Sequence, residues 1–341
     1  MVLRKISRLS WTDIVAFNVA AFGALAAFVF FLSQQSPAAS MAPAKESAKE
    51  SAPGASRKRI AISFDDAPRG AGAFLDIQKR PEMLIKALKK GGITQAVFFV
   101  NPGRVTPAAA EQGELVNYAA HGHLLANHTA THKPLSQVSA AIFLADIDAA
   151  EKWLKPLPGY RPWFRFPRLD EGRRDKAKRD AVRAGLKARG LRNGYVTADG
   201  WDWYMEAQTV QAKKAGRKMN MTALRKLYIE THVASANFSD RLAQRLLKRR
   251  PVQMLLLHET DLAALYVDDL AAALRADGWE IVPADAVYAD PMAQMTPDPE
   301  FADGTLLEML AWERGLSGGR WFPRNNIESA KKLFASRVLG E

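Results

Sequence analysis

Along most of the chain, apolar residues recur in two rhythms: short runs or alternations, then a helical spacing of three to four. Ile60, Ile62 and Phe64 alternate as a strand. Pro81–Lys90 predicts a helix with Met83, Leu84, Ala87 and Leu88 inward, and Ala96–Val100 a continuous apolar strand. Leu115–Ala120 ends a helix, Leu124–Ala126 is a short strand, and Ser136–Leu154 a long amphipathic helix. Trp163–Phe166 predicts a strand, Arg174–Arg189 a helix and Tyr195–Thr197 a strand. Gln253–Leu257 (strand), Val267–Ala276 (helix) and Glu280–Val282 close the series. Strands alternating with helices of this length predict a parallel α/β fold, closed or open. Ligands of such folds bind at the carboxyl ends of the strands.

The N-terminus follows another pattern. Arg4, Lys5 and Arg8 precede an apolar run from Ile14 to Leu32, broken by Asn18. Its length, about nineteen residues, approaches the roughly 20 that span a bilayer and exceeds the roughly 7–15 of a signal-peptide core. Basic residues before the run keep the N-terminus inside and send the rest out. An uncleaved anchor is the favoured reading. Small residues at Ser36-Pro37-Ala38 or Ala42-Pro43-Ala44 keep a cleaved, secreted form open. The next tract, rich in Ala, Ser, Pro, Lys and Glu, repeats Ala-Lys-Glu-Ser twice and cannot bury a core. It argues against a third reading, in which the apolar run is a buried helix of the globular domain. The expected organisation is a cytoplasmic basic tail (1–10), an anchor or signal segment (11–33), a flexible linker (34–57), a catalytic domain (58–291) and a helical C-terminal extension (292–341).

Composition narrows the chemistry. There are no cysteines among the 341 residues, so disulfides, thiolate metal sites and cysteine nucleophiles are excluded. Any metal must be held by His, Asp or Glu, a donor set suited to zinc and also to cobalt, nickel or manganese. A formal charge of +12 favours anionic partners such as a cell-wall polymer or a lipid surface. The chain carries no recognisable nucleic-acid motif, so nucleic acid is not an expected partner.

Polar, ionisable residues gather just after five apolar strands. They are Asp65-Asp66; Asn127, His128 and His132; Arg165; Asp199, Asp202 and Trp203; and His258. Each has a bland reading alone. Tandem Asp often caps a turn, His258 can be a satisfied core histidine, and Arg165 an ordinary ion-pair partner. The i, i+4 spacing of His128 and His132 would put both imidazoles on one side of a helical turn, as two ligands of one metal. One of the two aspartates would supply the carboxylate. Two His and one carboxylate leave positions open for water and substrate.

Taken in order, these residues resemble the polysaccharide deacetylases of the NodB-homology type, carbohydrate esterase family 4. Five family motifs appear as Ser63-Phe64-Asp65-Asp66-Ala67-Pro68, His128-Thr129-Ala130-Thr131-His132, Arg165-Phe166-Pro167-Arg168, Asp199-Gly200-Trp201-Asp202-Trp203 and Leu256-Leu257-His258. The resemblance runs from about Arg59 to Asp290. It implies a distorted (β/α)7-type barrel, here with an N-terminal transmembrane helix and a small helical C-terminal extension. It also implies one divalent metal, usually Zn2+, on Asp66, His128 and His132. Asp65 is implied as general base and His258 as general acid, with Arg165 orienting Asp65, and Asp202 and Trp203 orienting and packing against His258. The backbone N–H of Arg168 is the implied oxyanion donor.

The expected activity is metal-dependent release of acetate from N-acetyl groups of an extracytoplasmic polysaccharide, such as peptidoglycan or another N-acetylglucosamine polymer. The alternatives are a catalytically silent binder of glycan or polyanion on the same fold, and an amidohydrolase or esterase for a non-sugar substrate. Two residues depart from the family pattern. Ala67 stands where glycine is usual, so the turn after Asp66 must avoid positive φ or tolerate strain. Arg168 stands where tyrosine is usual and adds positive charge beside the sugar. Residues 205–250 form an unusually long, basic, helical stretch, and two helical patterns, Gly304–Glu313 and Asn326–Val338, follow the family match.

Overall fold

The computed structural model describes residues 57–104, 109–316 and 318–341. The basic tail, the apolar segment and nearly all of the linker lie outside the described residues. Among the described residues no helix is long and apolar enough to cross a membrane.

The strands are β1 (Lys58–Ala67), β2 (Val97–Val100), β3 (Leu124–Asn127), β4 (Tyr160–Phe164), β5 (Asp170–Arg173), β6 (Arg192–Asn193), β7 (Ala198–Asp199), β8 (Val252–His258), β9 (Trp279–Ile281) and β10 (Ala302–Asp303). The helices are α1 (Lys79–Lys90), α2 (Ala109–Ala120), α3 (Ala140–Leu154), α4 (Lys176–Ala188), α5 (Asp202–Lys214), α6 (Met221–Leu247), α7 (Asp261–Ala276), α8 (Asp285–Ala289), α9 (Leu306–Glu313) and α10 (Ile327–Phe334).

One sheet runs in the order β6-β4-β3-β2-β1-β8-β7, with β9 joined to β1 off that path. All of its pairings are parallel. β1 is the centre. One of its edges pairs with β8 from Arg59 to Asp65; the other pairs with β9 over Lys58–Ile60 and with β2 from Ser63 to Ala67. Being covered on both faces, β1 is buried from Ile60 onward, as the strand of a parallel sheet requires.

The sheet curls toward a barrel, and the stretch after β6 shows how. Gly194 N donates to Phe164 O at 2.6 Å, while Thr197 N donates to Met254 O at 3.1 Å. These residues therefore step from the β4 edge to the β8 edge and draw the two ends of the sheet together. A Cβ on Gly194 would lie 2.4 Å from Phe99 Cε1, so only glycine allows this approach. The expected strand Tyr195–Thr197 is this crossing segment; pairing occurs on either side of it, in β6 and β7. Short apolar runs do not distinguish a strand from a buried crossing.

Other boundaries moved for local reasons. Ser139, whose side chain accepts from Ile142 N, caps α3, so the expected helix starts after a separate turn at Leu135–Gln137. The basic stretch 205–250 is two helices, split at Gly216 (φ 65°) and restarted by the Asn220 cap. β5 and β10 form an antiparallel pair that no periodicity announced, being only a few residues long. Both C-terminal helical patterns are present. Leu306 and Leu307 of α9 pack with Ala61, Val97 and Met254 of the sheet, and Phe334 and Val338 pack into the core beside α5 and α6.

Candidate active site and metal centre

Every residue expected at the site lies at the carboxyl end of the parallel sheet, as strand direction requires. Asp65 and Asp66 end β1, His128 follows β3, Arg165 follows β4, Asp202 opens α5 after β7, and His258 ends β8. Asp65, Asp66, His128, His132, Arg168, Trp203 and His258 line one cavity of about 1010 Å³, while Arg165 and Asp202 are buried.

The donor atoms of Asp66, His128 and His132 all lie within 4.8 Å of one another. His132 Nε2 is 3.0 Å from Asp66 Oδ1, and His128 Nε2 is 3.8 Å from the same oxygen. His128 Nδ1 sits 2.9 Å from Arg165 O. That contact fixes the proton on Nδ1 and leaves Nε2 as a lone-pair donor. Asp66 Oδ1 is buried without a hydrogen-bond partner, an orphaned acceptor aimed at the two imidazoles. Burial pushes both imidazoles down to about 3, so both are neutral at physiological pH, the state a metal ligand needs. Burial alone would raise the Asp66 carboxyl, but His258, His132, His128 and Arg104 together hold it far below the usual carboxylate range. This donor set and its protonation states fit a divalent cation.

The two histidines do not share a helical turn. Residues 128–134 form an irregular loop, and Thr129 and His132 adopt left-handed backbone, with φ of 63° and 60°. Two side chains fold the loop. Thr129 N donates to Asn127 Oδ1 at 2.7 Å, and His132 N donates to Thr129 Oγ1 at 2.9 Å. The convergence of the rings thus comes from loop hydrogen bonds and not from helix periodicity.

Backbone strain gathers at the site. Asp66 (φ 69°), Arg168 (φ 59°) and Trp201 (φ 54°) are also left-handed. Such conformations persist only where the surroundings impose them. The departure at Ala67 is thereby resolved: Asp66 itself takes the left-handed turn, which aspartate tolerates better than most residues. Ala67 stays in the strand and needs no glycine-like freedom.

Asp65 is held from behind. Arg165 Nη1 contacts Asp65 Oδ1 at 2.5 Å and Ser63 Oγ at 2.8 Å. Its Nε donates to Gly194 O at 2.6 Å, and the guanidinium lies 3.8 Å from the Phe99 ring centre. The Arg165 side chain is almost wholly buried and so ties Asp65 to the segment that closes the sheet. Burial raises the Asp65 carboxyl, opposed by Arg165 and His258. Asp65 Oδ2 faces His128 Nε2 at 3.6 Å.

His258 has the opposite tuning. Asp202 Oδ1 lies 2.7 Å from His258 Nδ1, and Asp202 Oδ2 accepts from His258 N, also at 2.7 Å. Burial alone would lower this imidazole; Asp202, with Asp66 and Asp65, raises it to about 9. Asp65, paired with Arg165, and the His258 imidazolium, paired with Asp202, therefore face one cavity. Trp203 lines the same cavity, and its ring partners are Trp201 and Tyr204, with centroids 5.5 Å from each.

Several partners were not legible in the sequence. Arg69 Nη1 pairs with Asp66 Oδ2 at 2.6 Å, and Arg104 lies 3.3 Å from Asp66 Oδ1. Arg80 is buried between Glu259 and Asp261 and donates to the carbonyls of Arg69 and Gly70, which fixes the loop after Asp66. An isolated arginine carries no sequence signal that it is buried. Phe301, Glu308, Trp312 and Trp321 of the C-terminal region also line the cavity.

Comparison with known proteins gave one family match and several structural likenesses. The family model described as polysaccharide deacetylase matches residues 52–189, which hold the first three motifs. The fourth and fifth motifs lie beyond that match, and the fold brings them to the same cavity. No curated protein matches the chain. Among solved structures, the chain is similar to a peptidoglycan deacetylase from Bacillus subtilis (21% identity, TM-score 0.44, 68% of this chain and 91% of that one). It is also similar to a chitin deacetylase from Colletotrichum lindemuthianum (18%, TM-score 0.47, 67% and 86%). A further likeness is to a family 4 carbohydrate esterase pseudoenzyme from Bacillus anthracis (15%, TM-score 0.45, 68% and 66%). Residues 52–189, with the three motifs they carry, match the polysaccharide deacetylase family model.

Proposed function

We propose that the protein hydrolyses N-acetyl groups of a polysaccharide, with peptidoglycan or another N-acetylglucosamine polymer as substrate and acetate as product. The observation that carries this reading is the geometry of two ion-paired groups facing one cavity: Asp65 held by Arg165, and His258 held by Asp202 and raised to about 9. Amide hydrolysis needs both, because water must lose a proton and the departing nitrogen must gain one.

Asp66, His128 and His132 would hold the divalent cation, with zinc favoured by two imidazoles and one carboxylate. When bound, it supplies Lewis acidity toward water and the acetamide carbonyl. Asp65 accepts the proton of the attacking water through Oδ2, the oxygen that Arg165 leaves free. The backbone N–H of Arg168 stabilises the developing oxyanion. His258 delivers its Nε2 proton to the amine as the C–N bond breaks, while Asp202 keeps the ring oriented through Nδ1. Trp203 borders the space in which the sugar sits. Export of residues 58–341 to the outer face of the membrane by the N-terminal segment would give the enzyme access to such a polymer.

The test is acetate release from N-acetylglucosamine oligomers and from peptidoglycan by the purified protein, with and without chelator. Release that survives chelation, or that survives Asp65→Asn, would overturn the reading.

A further inference from the structure

The C-terminal segment, outside the family match, builds part of the cavity wall. Phe301 and Trp312 stack with centroids 5.8 Å apart and planes 23° apart, and Trp321 stands at 83° to Trp312, 6.2 Å away. The Arg320 guanidinium fills the notch between the two tryptophans, 4.0 Å from one ring centre and 3.8 Å from the other. Trp321 is nonetheless 52% exposed, and it lines the same cavity as Asp65, Asp66 and His258.

This wall is anchored. Phe322 is buried with its ring 5.9 Å from Phe238, and Asn325 Nδ2 donates to Asp199 O at 3.0 Å. Asn325 lines the cavity, and its Oδ1 is buried without a hydrogen-bond partner. An aromatic face held from behind by a cation loses little freedom when it is covered. Such a face matches a pyranose ring, which presents a C–H face to an aromatic plane. The cavity, about 1010 Å³, is at the top of the roughly 300–1,000 Å³ that takes one compact ligand, so it has room for more than the reacting sugar.

We propose that Trp321, backed by Arg320 and Trp312, forms a saccharide-binding subsite supplied by the C-terminal segment, which makes the enzyme selective for oligomers over single sugars. This rests on the deacetylase reading above. The occupant is a sugar unit flanking the one that reacts, because the wall and the acid–base pair share one cavity.

The experiment is titration of the full chain with N-acetylglucosamine oligomers from monosaccharide to hexasaccharide, followed by tryptophan fluorescence and calorimetry, beside acetate release on the same series. Wild type should bind the longer oligomers more tightly. Trp321→Ala should lose roughly tenfold in affinity and raise KM similarly for long oligomers, with kcat and monosaccharide binding unchanged. Trp321→Phe should restore most of the loss, which separates stacking from a folding defect. Equal oligomer affinity in Trp321→Ala and wild type, or affinity independent of chain length, would overturn the subsite. Length-dependent, Trp321-dependent binding without acetate release would uphold the subsite and sink the deacetylase reading.

Discussion

Asp202 holds His258 by two contacts at once: Oδ1 to the ring Nδ1 and Oδ2 to the backbone N, both 2.7 Å. The pair is buried and fixes both the direction and the charge of the imidazole. Burial would by itself strip the ring of its proton; the carboxylate reverses that and carries it to about 9. With His258 as the proposed general acid, the protonated form is the working form, so activity should persist at alkaline pH and fall as pH rises through about 9. In Asp202→Asn that alkaline limb should move down toward the ordinary histidine value near 6.5, with kcat lower by on the order of 10²-fold. A pH–rate profile of the two proteins checks this; an unmoved alkaline limb would assign it to another group.

Arg165 should govern the acid limb. Asp65 works as a base only when ionised, and burial already raises its pKa, with Arg165 as the first opposing charge. In Arg165→Met the carboxyl should rise further, so activity should be lost at a higher pH on acidification. Breaking one side of this buried pair should also cost roughly 3–5 kcal/mol of stability. Urea unfolding and the pH profile measure the two effects separately.

Metal binding should be visible without turnover. A cation on Asp66, His128 and His132 at about a hundred times its Kd adds about 2.7 kcal/mol. For a domain of this size that is a rise in Tm of several degrees. Zinc added to the metal-stripped protein should produce it, and Asp66→Ala should abolish it. Asp65→Asn should keep the shift and the bound metal while losing roughly 10²–10⁴-fold in kcat. Equal loss of metal in both aspartate variants would show that their roles are not divided as proposed.

Gly194 should be intolerant of the smallest side chain. A Cβ there would sit 2.4 Å from Phe99 Cε1 and 3.2 Å from Phe164 O. Gly194→Ala should therefore cost about 1–3 kcal/mol. It should also lower kcat, because Gly194 O receives the Arg165 Nε–H that positions Asp65. Denaturation and steady-state kinetics together test the link.

The parallel α/β class, the position of polar residues at strand ends and the identity of the motif residues could all be read from the chain. Apolar periodicity reports which face a segment buries, and parallel strands all point one way, so residues following strands collect at one rim. The division of labour between Asp65 and Asp66 could not be read in this way. Adjacent in sequence, they differ in what surrounds them: Arg165 and Ser63 hold one, whereas two imidazoles and two arginines face the other. The i, i+4 spacing of His128 and His132 suggests a helical turn, whereas the two rings converge through an irregular loop. Left-handed turns at single residues are set by loop hydrogen bonds that the Asn127 and Thr129 side chains accept, which leave no periodic trace.

By itself the sequence determined the alternation of elements, the basic charge, the absence of thiol chemistry and the list of residues able to hold a metal or move a proton. Tertiary structure alone decided the crossing at Gly194 that curls the sheet, the burial that raises Asp65, the carboxylate that keeps His258 charged, and the C-terminal aromatic wall. The physical reason is range. Periodicity and turn chemistry act between near neighbours, whereas burial and electrostatic tuning sum over groups far apart in the chain, such as Arg165 on Asp65 and Asp202 on His258.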